Sequence, residues 1–263
     1  MKSVEKVEIH IIKWLKDYAK KNNMGGFVVG VSGGIDSAVT STLCAKTGLN
    51  LICLEMPIQQ ESKQDSRASS HIEWLKNQFS NVTSHRLSLD KVFYSFQEIL
   101  PTTKNSSSKS LSLANTRARL RMTSLYYFAA LKKYLVAGTG NKVEDFGVGF
   151  FTKYGDGGVD LSPIADLNKS QVFELGKNLK ILDSIQSAKP TDGLWNDNRT
   201  DEEQIGASYP ELEWAMAIFD KKIDENTMTE RQRKVLSIYS NFHNQNKHKM
   251  IQIPVCEIPK SYK

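Results

Sequence analysis

The sequence of residues 26–37 is GFVVGVSGGIDS, and it decides the fold. Its first half belongs to a short, β-branched apolar run over residues 25–31 that is bounded by glycine, the pattern of a buried parallel strand. Its second half, SGGIDS at residues 32–37, opens a helix that we predict over residues 36–46. A strand that passes through a glycine-rich loop directly into a helix predicts the first unit of an open α/β sheet.

Strand and helix patterns alternate along the rest of the chain. Apolar runs predict strands over residues 25–31, 49–56, 82–89 and 134–137. Helical spacing predicts helices over residues 1–20, 36–46, 65–79, 91–100, 113–133, 166–180 and 229–246, with an exposed, mobile loop over residues 102–110. Thr200 with Glu203, and Ser208 with Glu211, have capping-box spacing and predict two further helix starts. We therefore predict one α/β domain over residues 1–263, a doubly wound open parallel sheet with helices on both faces.

Composition excludes several classes of protein. With 40% hydrophobic and 24% charged residues the chain is neither disordered nor fibrous. The net charge of +6 favours anionic partners in general, and no apolar run approaches the roughly 20 residues that cross a bilayer. Residues 1–20 have the pattern of a packed amphipathic helix rather than a signal peptide, so we expect a cytoplasmic protein. The three cysteines form no CxxC pair, which indicates neither a disulfide framework nor a zinc site, and we expect Cys44 and Cys53 to be core thiols.

The loop at residues 32–37 has the chemistry of an anion site. The adjacent glycines Gly33 and Gly34 let backbone N–H groups converge on phosphate oxygens at a helix N-terminus. Ser32 and Ser37 add hydroxyl donors, and Asp36 could hold a Mg²⁺ that shares the phosphate charge. The loop lacks the Gly-Lys-Ser/Thr of kinase-type loops, which makes γ-phosphoryl transfer the less favoured chemistry. The alternative is a tight turn in which Asp36 only caps the helix.

Two more residues are predicted to meet this loop. Thr139 follows the fourth predicted strand, and Glu144 lies about one helical turn further on, so both can face the pocket beside Asp36. Two carboxylates near a phosphate site repel each other unless a cation lies between them, which again favours Mg²⁺. The alternative for Glu144 is a solvated acid at a helix start.

A glycine-rich loop after Glu144 combines charge with aromatic rings. Lys153, Asp156 and Asp160 alternate with glycines there, and Phe150 stands at the start of the loop. Charges in a solubilising turn would need no aromatic neighbours, so we interpret this loop as a clamp for a planar ring and its carboxylate. The alternative is a turn whose charges lie in water.

The motifs together resemble one family. SGGIDS after a first strand resembles the pyrophosphate loop of the N-type ATP pyrophosphatases, which have the adenine nucleotide α-hydrolase-like fold. GTGNKVE at residues 138–144, FFTKYGDGGVDLSP at 150–163, LNKSQ at 167–171 and KPTD at 189–192 resemble the signature of the NAD synthetases within them. The resemblance implies a ligase that uses ATP to join AMP to the nicotinate carboxylate of deamido-NAD. Ammonia then displaces the AMP to give NAD. It also implies Mg²⁺, a homodimer and, in a chain of this length, no glutaminase domain.

The resemblance assigns further residues. It implies that Asn115 and Arg119, one helical turn apart, contact deamido-NAD near the dimer interface, where the apolar helix at residues 125–131 could lie. It implies that Lys169 reaches ATP phosphates and that a lid over residues 191–201 supplies Thr191 to ATP. Gly30 completes the set implied for ATP, and His248 and Lys249 that for deamido-NAD. Asp156 is our hypothesis for the group that accepts a proton from ammonium.

Other functions remain as alternatives. A GMP synthetase-like or tRNA-thiolating relative would share the pyrophosphate loop, although thiolation usually needs cysteines near the site. An oxidoreductase would need GxGxxG, and the sequence from Gly138 fails at the third glycine. A nucleic-acid binder is disfavoured because no basic run with interleaved aromatic residues is present.

Overall fold

The computed structural model describes residues 1–58, 62–101, 106–191, 200–219, 221 and 227–263. In this part of the chain four strands form one parallel sheet: β1 (Gly26–Gly30), β2 (Asn50–Glu55), β3 (Val82–Arg86) and β4 (Leu135–Val136). The strand order is β3-β2-β1-β4, and Val28 pairs with Ile52 on one side and with Val136 on the other. The order reverses between β1 and β4, so the crevice beyond their carboxyl ends is the place where such sheets bind ligands.

The helices surround this sheet. They are α1 (Val4–Lys21), α2 (Ile35–Lys46), α3 (Ser62–Gln78), α4 (Asp90–Glu98), α5 (Ser106–Lys132), α6 (Lys169–Asn178), α7 (Asp183–Gln186), α8 (Asp201–Ile205), α9 (Tyr209–Ile218) and α10 (Glu230–Met250). A π-helix covers Val143–Val148, and a 3₁₀ turn covers Lys260–Tyr262. Both predicted capping boxes are present, since Thr200 pairs with Glu203 and Ser208 with Glu211.

Side chains on alternate positions of β1 enter two different cores. Phe27 and Val29 pack with α1, α2 and α6, whereas Val28 faces the opposite side with Ala129 of α5. A period of two along a strand places neighbours on opposite faces, so a continuous apolar run must be covered on both. The predicted doubly wound α/β sheet is therefore confirmed. A third cluster joins α9 and α10 to the π-helix beside the carboxyl edge of the sheet.

One sequence expectation about α5 needs correction. The loop predicted at residues 102–110 is helical from Ser106 onwards, while residues 102–105 lie outside the described part. A serine-rich tract does not exclude helix, because helix propensities differ by only about 0.5 kcal/mol among such residues, and extending an existing helix needs no new nucleus. In the single chain, Tyr127 and Leu131 of α5 are 62% and 59% exposed.

The remaining expectations concern the cysteines and membrane spans. Cys44 and Cys53 are buried as predicted, and Cys256 is exposed. Among the described residues, no helix combines the length and the apolar character that a bilayer crossing requires.

Candidate active site

The loop between β1 and α2 is held in shape by its own polar groups. Gly33 has a φ of +81°, a conformation that side-chain-bearing residues rarely adopt, and Gly34 is the N-cap of α2. The Ser32 and Ser37 hydroxyls lie 3.2 Å apart, and Ser37 Oγ also donates to the Gly34 carbonyl at 3.0 Å. The loop therefore presents its amides at the start of a helix in an arrangement suited to an anion.

A buried ammonium group joins two carboxylates beside this loop. Lys169 Nζ, on a side chain that is only 4% exposed, donates to Asp36 Oδ2 at 2.6 Å and to Glu144 Oε1 at 2.9 Å. Asn141 Nδ2 donates to Asp36 Oδ1 at 3.1 Å, while Asn141 Oδ1 accepts the Glu144 N–H at 3.2 Å. Three segments that are far apart in the sequence therefore meet at the carboxyl edge of β1 and β4.

These contacts set the protonation of the group. Burial raises the pKa of Asp36, although Lys169 opposes the rise. Burial would also raise the pKa of Glu144, but Lys169 and the hydroxyl of Tyr209 hold it below its ordinary value. For Lys169 burial works against the charged form, yet Asp36 and Glu144 outweigh it and raise the pKa of the ammonium. The site thus keeps its cation and at least one carboxylate charged at neutral pH.

A further acidic side chain, Asp145, lies beside this group. Burial and the neighbouring carboxylates Glu144, Asp156 and Asp36 raise the pKa of Asp145 to about 8. Its carboxylate lies against the backbone of Gly140, where an added Cβ would stand 2.0 Å from Oδ2. Asp145 is therefore mostly protonated at neutral pH, and a cation bound nearby would favour its ionised form.

Tyr209 connects the C-terminal helices to the cluster. Its hydroxyl donates a short hydrogen bond to Glu144 Oε1 and lies 3.1 Å from Asp201 Oδ2. The Lys169 ammonium also stands 4.7 Å from the centre of the Tyr209 ring. The buried charges are therefore enclosed by α8 and α9 as well as by the sheet.

The glycine-rich loop after the π-helix forms the opposite wall. The Thr152 N–H donates to Asp156 Oδ1 at 2.9 Å, and Thr152 Oγ1 donates to Asn115 Oδ1 on α5 at 2.6 Å. Lys249 Nζ donates to the Phe151 carbonyl at 2.7 Å and lies 4.9 Å from the centre of that ring. Helices α5 and α10 therefore clamp this loop from two sides.

One cavity of about 670 Å³ unites both walls. Among the predicted residues it is lined by Gly30, Ser32, Gly33, Gly34, Asp36, Ser37, Asn115, Thr139, Glu144, Phe150, Asp156, Lys169, Thr191, His248 and Lys249. A volume of this order accommodates a nucleotide-sized ligand. Of the predicted lid, Thr191 lines the cavity, whereas residues 192–199 lie outside the described part.

Three predicted residues do not line the cavity in the single chain. Arg119 donates to the Lys153 carbonyl at 3.3 Å, and Lys153 Nζ donates to the His248 carbonyl at 2.9 Å. Asp160 accepts from the Tyr126 hydroxyl at 3.0 Å and from the Val136 N–H at 2.8 Å. These three side chains brace the wall of the cavity instead of facing it.

Sequence reasoning gave no role to several residues of the site. Asn141 stands inside a quoted motif, but nothing in the motif indicates that it bridges Asp36 and Glu144. Tyr209 offers no local signal at all, because its partner Glu144 is 65 residues away. Glu55, a charged residue that ends an apolar strand, is the one whose pattern could have drawn attention.

The carboxylate oxygens fit a hard divalent cation. Mg²⁺ is commonly held by one or two carboxylates together with substrate phosphates, and Asp36 and Glu144 converge on a common cation beside the anion loop. That cation is the Lys169 ammonium. Its raised pKa shows that Asp36 and Glu144 together favour a positive charge between them. Among the described residues no group of three or more acidic, histidine or cysteine side chains could hold a metal alone.

Comparison with known proteins agrees with this geometry. The family model of NAD synthase matches residues 7–253. The ammonia-dependent NAD⁺ synthetase of Carboxydothermus hydrogenoformans is 38% identical over 216 residues, which are 80% of this chain and 83% of that protein. The structure of NMN synthetase from Francisella tularensis superposes with a TM-score of 0.82 at 32% identity, over 98% of this chain and 99% of that chain.

A second solved structure supports the same assignment. The ammonia-dependent NAD synthetase of Campylobacter jejuni has a TM-score of 0.77 at 26% identity, over 97% of this chain and 100% of that chain. Both halves of the chain are covered by these matches, which does not favour the GMP synthetase-like or tRNA-thiolating alternative. The chain therefore belongs to the NAD synthase family.

Proposed function

We propose that this protein amidates the nicotinate carboxylate of deamido-NAD in the cavity. The reaction uses ATP and ammonia and gives NAD, AMP and pyrophosphate. The observation that carries this proposal is the anion loop beside the Asp36–Lys169–Glu144 group, within one nucleotide-sized cavity. The names of the matched relatives, which are ammonia-dependent NAD⁺ synthetases, support the same reaction.

The chemistry needs activation of a poor electrophile. A carboxylate is anionic and its oxygen leaves badly, so it first attacks the α-phosphorus of ATP and the bond to the β-phosphate breaks. The products are a nicotinoyl adenylate and pyrophosphate, whose charge the amides of residues 32–37 and the Lys169 ammonium would stabilise. Ammonia then attacks the acyl carbon, AMP leaves with the bonding electrons, and no protein nucleophile is required.

Mg²⁺ fits this scheme through Asp36 and Glu144. When bound, it supplies charge neutralisation for the phosphates, and the two carboxylates would hold it together with phosphate oxygens. The Lys169 ammonium beside the loop at residues 32–37 would bind phosphate, and Thr139 and Thr191 would add hydroxyl groups at the cavity wall.

The opposite wall would receive the dinucleotide. Asn115, Phe150, His248 and Lys249 line it, and Arg119, Lys153 and Asp160 hold its backbone in place. Asp156 would accept the proton that ammonium loses, since burial raises the pKa of this carboxyl. An Asp156→Asn variant that keeps normal turnover at saturating ammonium would remove this role.

We also propose that the protein is a cytoplasmic homodimer. Helices α4 and α5 lie together, with Arg117 stacked 4.6 Å from the centre of the Phe93 ring. Their outer faces expose Val92, Phe96, Ile99, Leu111, Tyr127 and Leu131. Exposed apolar side chains on two packed helices favour self-association. Sedimentation of the wild type and of Tyr127→Glu would test it: a dimer for the former and a monomer for the latter are expected.

The direct test mixes the protein with ATP, Mg²⁺, ammonium and an acceptor, and follows NAD, AMP and pyrophosphate. Equal amounts of the three products are expected with deamido-NAD, and ADP in place of AMP would contradict the proposal. Asp36→Ala and Glu144→Ala should fold yet lose AMP formation.

Because the Francisella tularensis neighbour is an NMN synthetase, nicotinate mononucleotide is the second acceptor to test, and faster turnover of it would change the proposed substrate.

A further inference from the structure

Glu55 is a buried acid that the proposed reaction does not use. It is the last residue of β2, its side chain is only 8% exposed, and it lines the same cavity as the anion loop. The five preceding residues of β2 form an otherwise uncharged run. Burying a carboxylate is costly unless it is paired, so its partners decide what it can still bind.

Only one oxygen of Glu55 has protein partners. Oε1 accepts from Ser69 Oγ at 2.9 Å and from Arg86 Nη1 in a shorter contact. Within the described part of the chain, Oε2 has no hydrogen-bond donor. Because Glu55 lines the cavity, Oε2 is available to accept a hydrogen bond from a donor that enters it.

The sheet places Glu55 close to the anion loop. Leu54 pairs with Gly30, and the Leu54 carbonyl accepts the Val31 N–H at 2.8 Å, so Glu55 and the loop leave neighbouring strands at the same edge. The helix above them is tied to the loop as well, since Arg67 Nε donates to the Gly33 carbonyl at 3.3 Å. A nucleoside attached to phosphates in the loop would therefore lie within reach of the end of β2.

Resting on the proposed function, we infer that Glu55 Oε2 accepts a hydrogen bond from a ribose hydroxyl of ATP. In doubly wound sheets, an acidic residue at the end of the second strand, about 20 residues after the glycine loop, is well suited to bind ribose hydroxyls. Glu55 has this position relative to Gly33 and Gly34. Ser69 and Arg86 orient its carboxylate, and the ribose would provide the donor that Oε2 lacks.

The test compares ATP with 2′-deoxy-ATP, 3′-deoxy-ATP and the triphosphate of purine riboside, which lacks the 6-amino group. In the wild type, kcat/KM for at least one deoxy analogue is expected to fall about 10- to 100-fold, the range for a hydrogen bond to a charged group. Glu55→Gln and Glu55→Ala should reduce this discrimination to about threefold or less. Glu73→Gln, which removes an exposed carboxylate from α3, is the matched control and should retain the discrimination.

Each outcome is informative even if a Glu55 variant folds poorly. Wild-type enzyme that uses ATP and both deoxy analogues equally well would overturn the inference while leaving the proposed function intact. A second result would also overturn the inference. If the Glu55 variants lose discrimination against the purine riboside analogue but keep it against the deoxy analogues, Glu55 binds adenine and not ribose. No AMP from ATP and deamido-NAD in the wild type would instead overturn the proposed function.

Discussion

Helix α2 contacts two buried polar groups that differ in charge. The active-site cluster, consisting of Asp36, Glu144, Lys169 and Tyr209, lies at its first turn and contains ionised side chains. The core pair, Ser41 and His71, lies one turn further along, with Ser41 Oγ 3.0 Å from His71 Nε2. His71 is fully buried, stacks on Trp74 at 5.4 Å, and burial lowers its pKa to about 4.

The difference shows how a charge is tolerated in the interior. The core pair stays neutral at pH 7, because burial lowers the pKa of His71 by disfavouring its charged form. The active-site cluster borders a cavity and balances carboxylates against an ammonium. Buried ionised groups of this kind are a common property of functional sites, whereas a neutral hydrogen bond suffices for packing.

The largest effect is expected when the cation of the active-site cluster is removed. Lys169→Met leaves Asp36 and Glu144 facing each other without compensation, and breaking a buried ion pair in this way costs about 3–5 kcal/mol of unfolding free energy. Mg²⁺ should restore part of the loss by replacing the ammonium. Urea unfolding with and without Mg²⁺ measures both effects, and Lys177→Met on the exposed side of α6 is the control. A Lys169→Met variant as stable as the wild type would show that the ammonium does not stabilise the two buried carboxylates.

The core pair should respond to pH instead. Since the pKa of His71 is about 4 in the folded chain and near 6.5 when unfolded, the unfolded state binds the proton first. Stability is therefore complete above pH 6.5 and declines as the pH falls to 4, by up to about 3 kcal/mol. His71→Phe should flatten this part of the profile, and the exposed His10→Gln should not. An unchanged slope in His71→Phe would show that other groups cause it.

A smaller effect is expected at Tyr209. Tyr209→Phe removes the hydroxyl that donates to Glu144, and a hydrogen bond to a charged group is worth about 2 kcal/mol. Both thermal stability and kcat/KM should fall. Tyr134→Phe, at a hydroxyl with no hydrogen bond among the described residues, is the control for loss of a phenol. Reduced stability with unchanged kinetics would limit Tyr209 to packing.

The smallest effect belongs to Ser41. Ser41→Ala removes the hydroxyl beside His71 and should cost about 1 kcal/mol, the typical net value of a neutral hydrogen bond. Because Ser41 lies outside the cavity, KM for ATP should stay within error of the wild type. A clear rise in KM would mean that the core pair shapes the anion loop at the start of the same helix, and the two groups would no longer be independent.

Much of the fold followed from local pattern. The four strands were predicted to within three residues at each end, because an apolar run between glycines or polar residues is a local signal of burial on both faces. The start of α5 was wrong, since Ser106–Ser110 carries no strong local preference. The exposure of Tyr127 and Leu131 was also not determined by periodicity, which cannot distinguish a core from a subunit interface.

The candidate site divides in the same way. The sequence alone determined the anion loop and the approach of Asp36, Thr139 and Glu144, because carboxyl ends of parallel strands share one edge. Only the tertiary structure decided that Lys169, 133 residues from Asp36, bridges the two acids and that Tyr209 encloses them. It also decided that Glu55 lines the cavity and that, among the described residues, one of its oxygens has no protein donor. The physical reason is that desolvation and charge pairing act through space over a few ångströms, whereas sequence patterns report only neighbours along the chain.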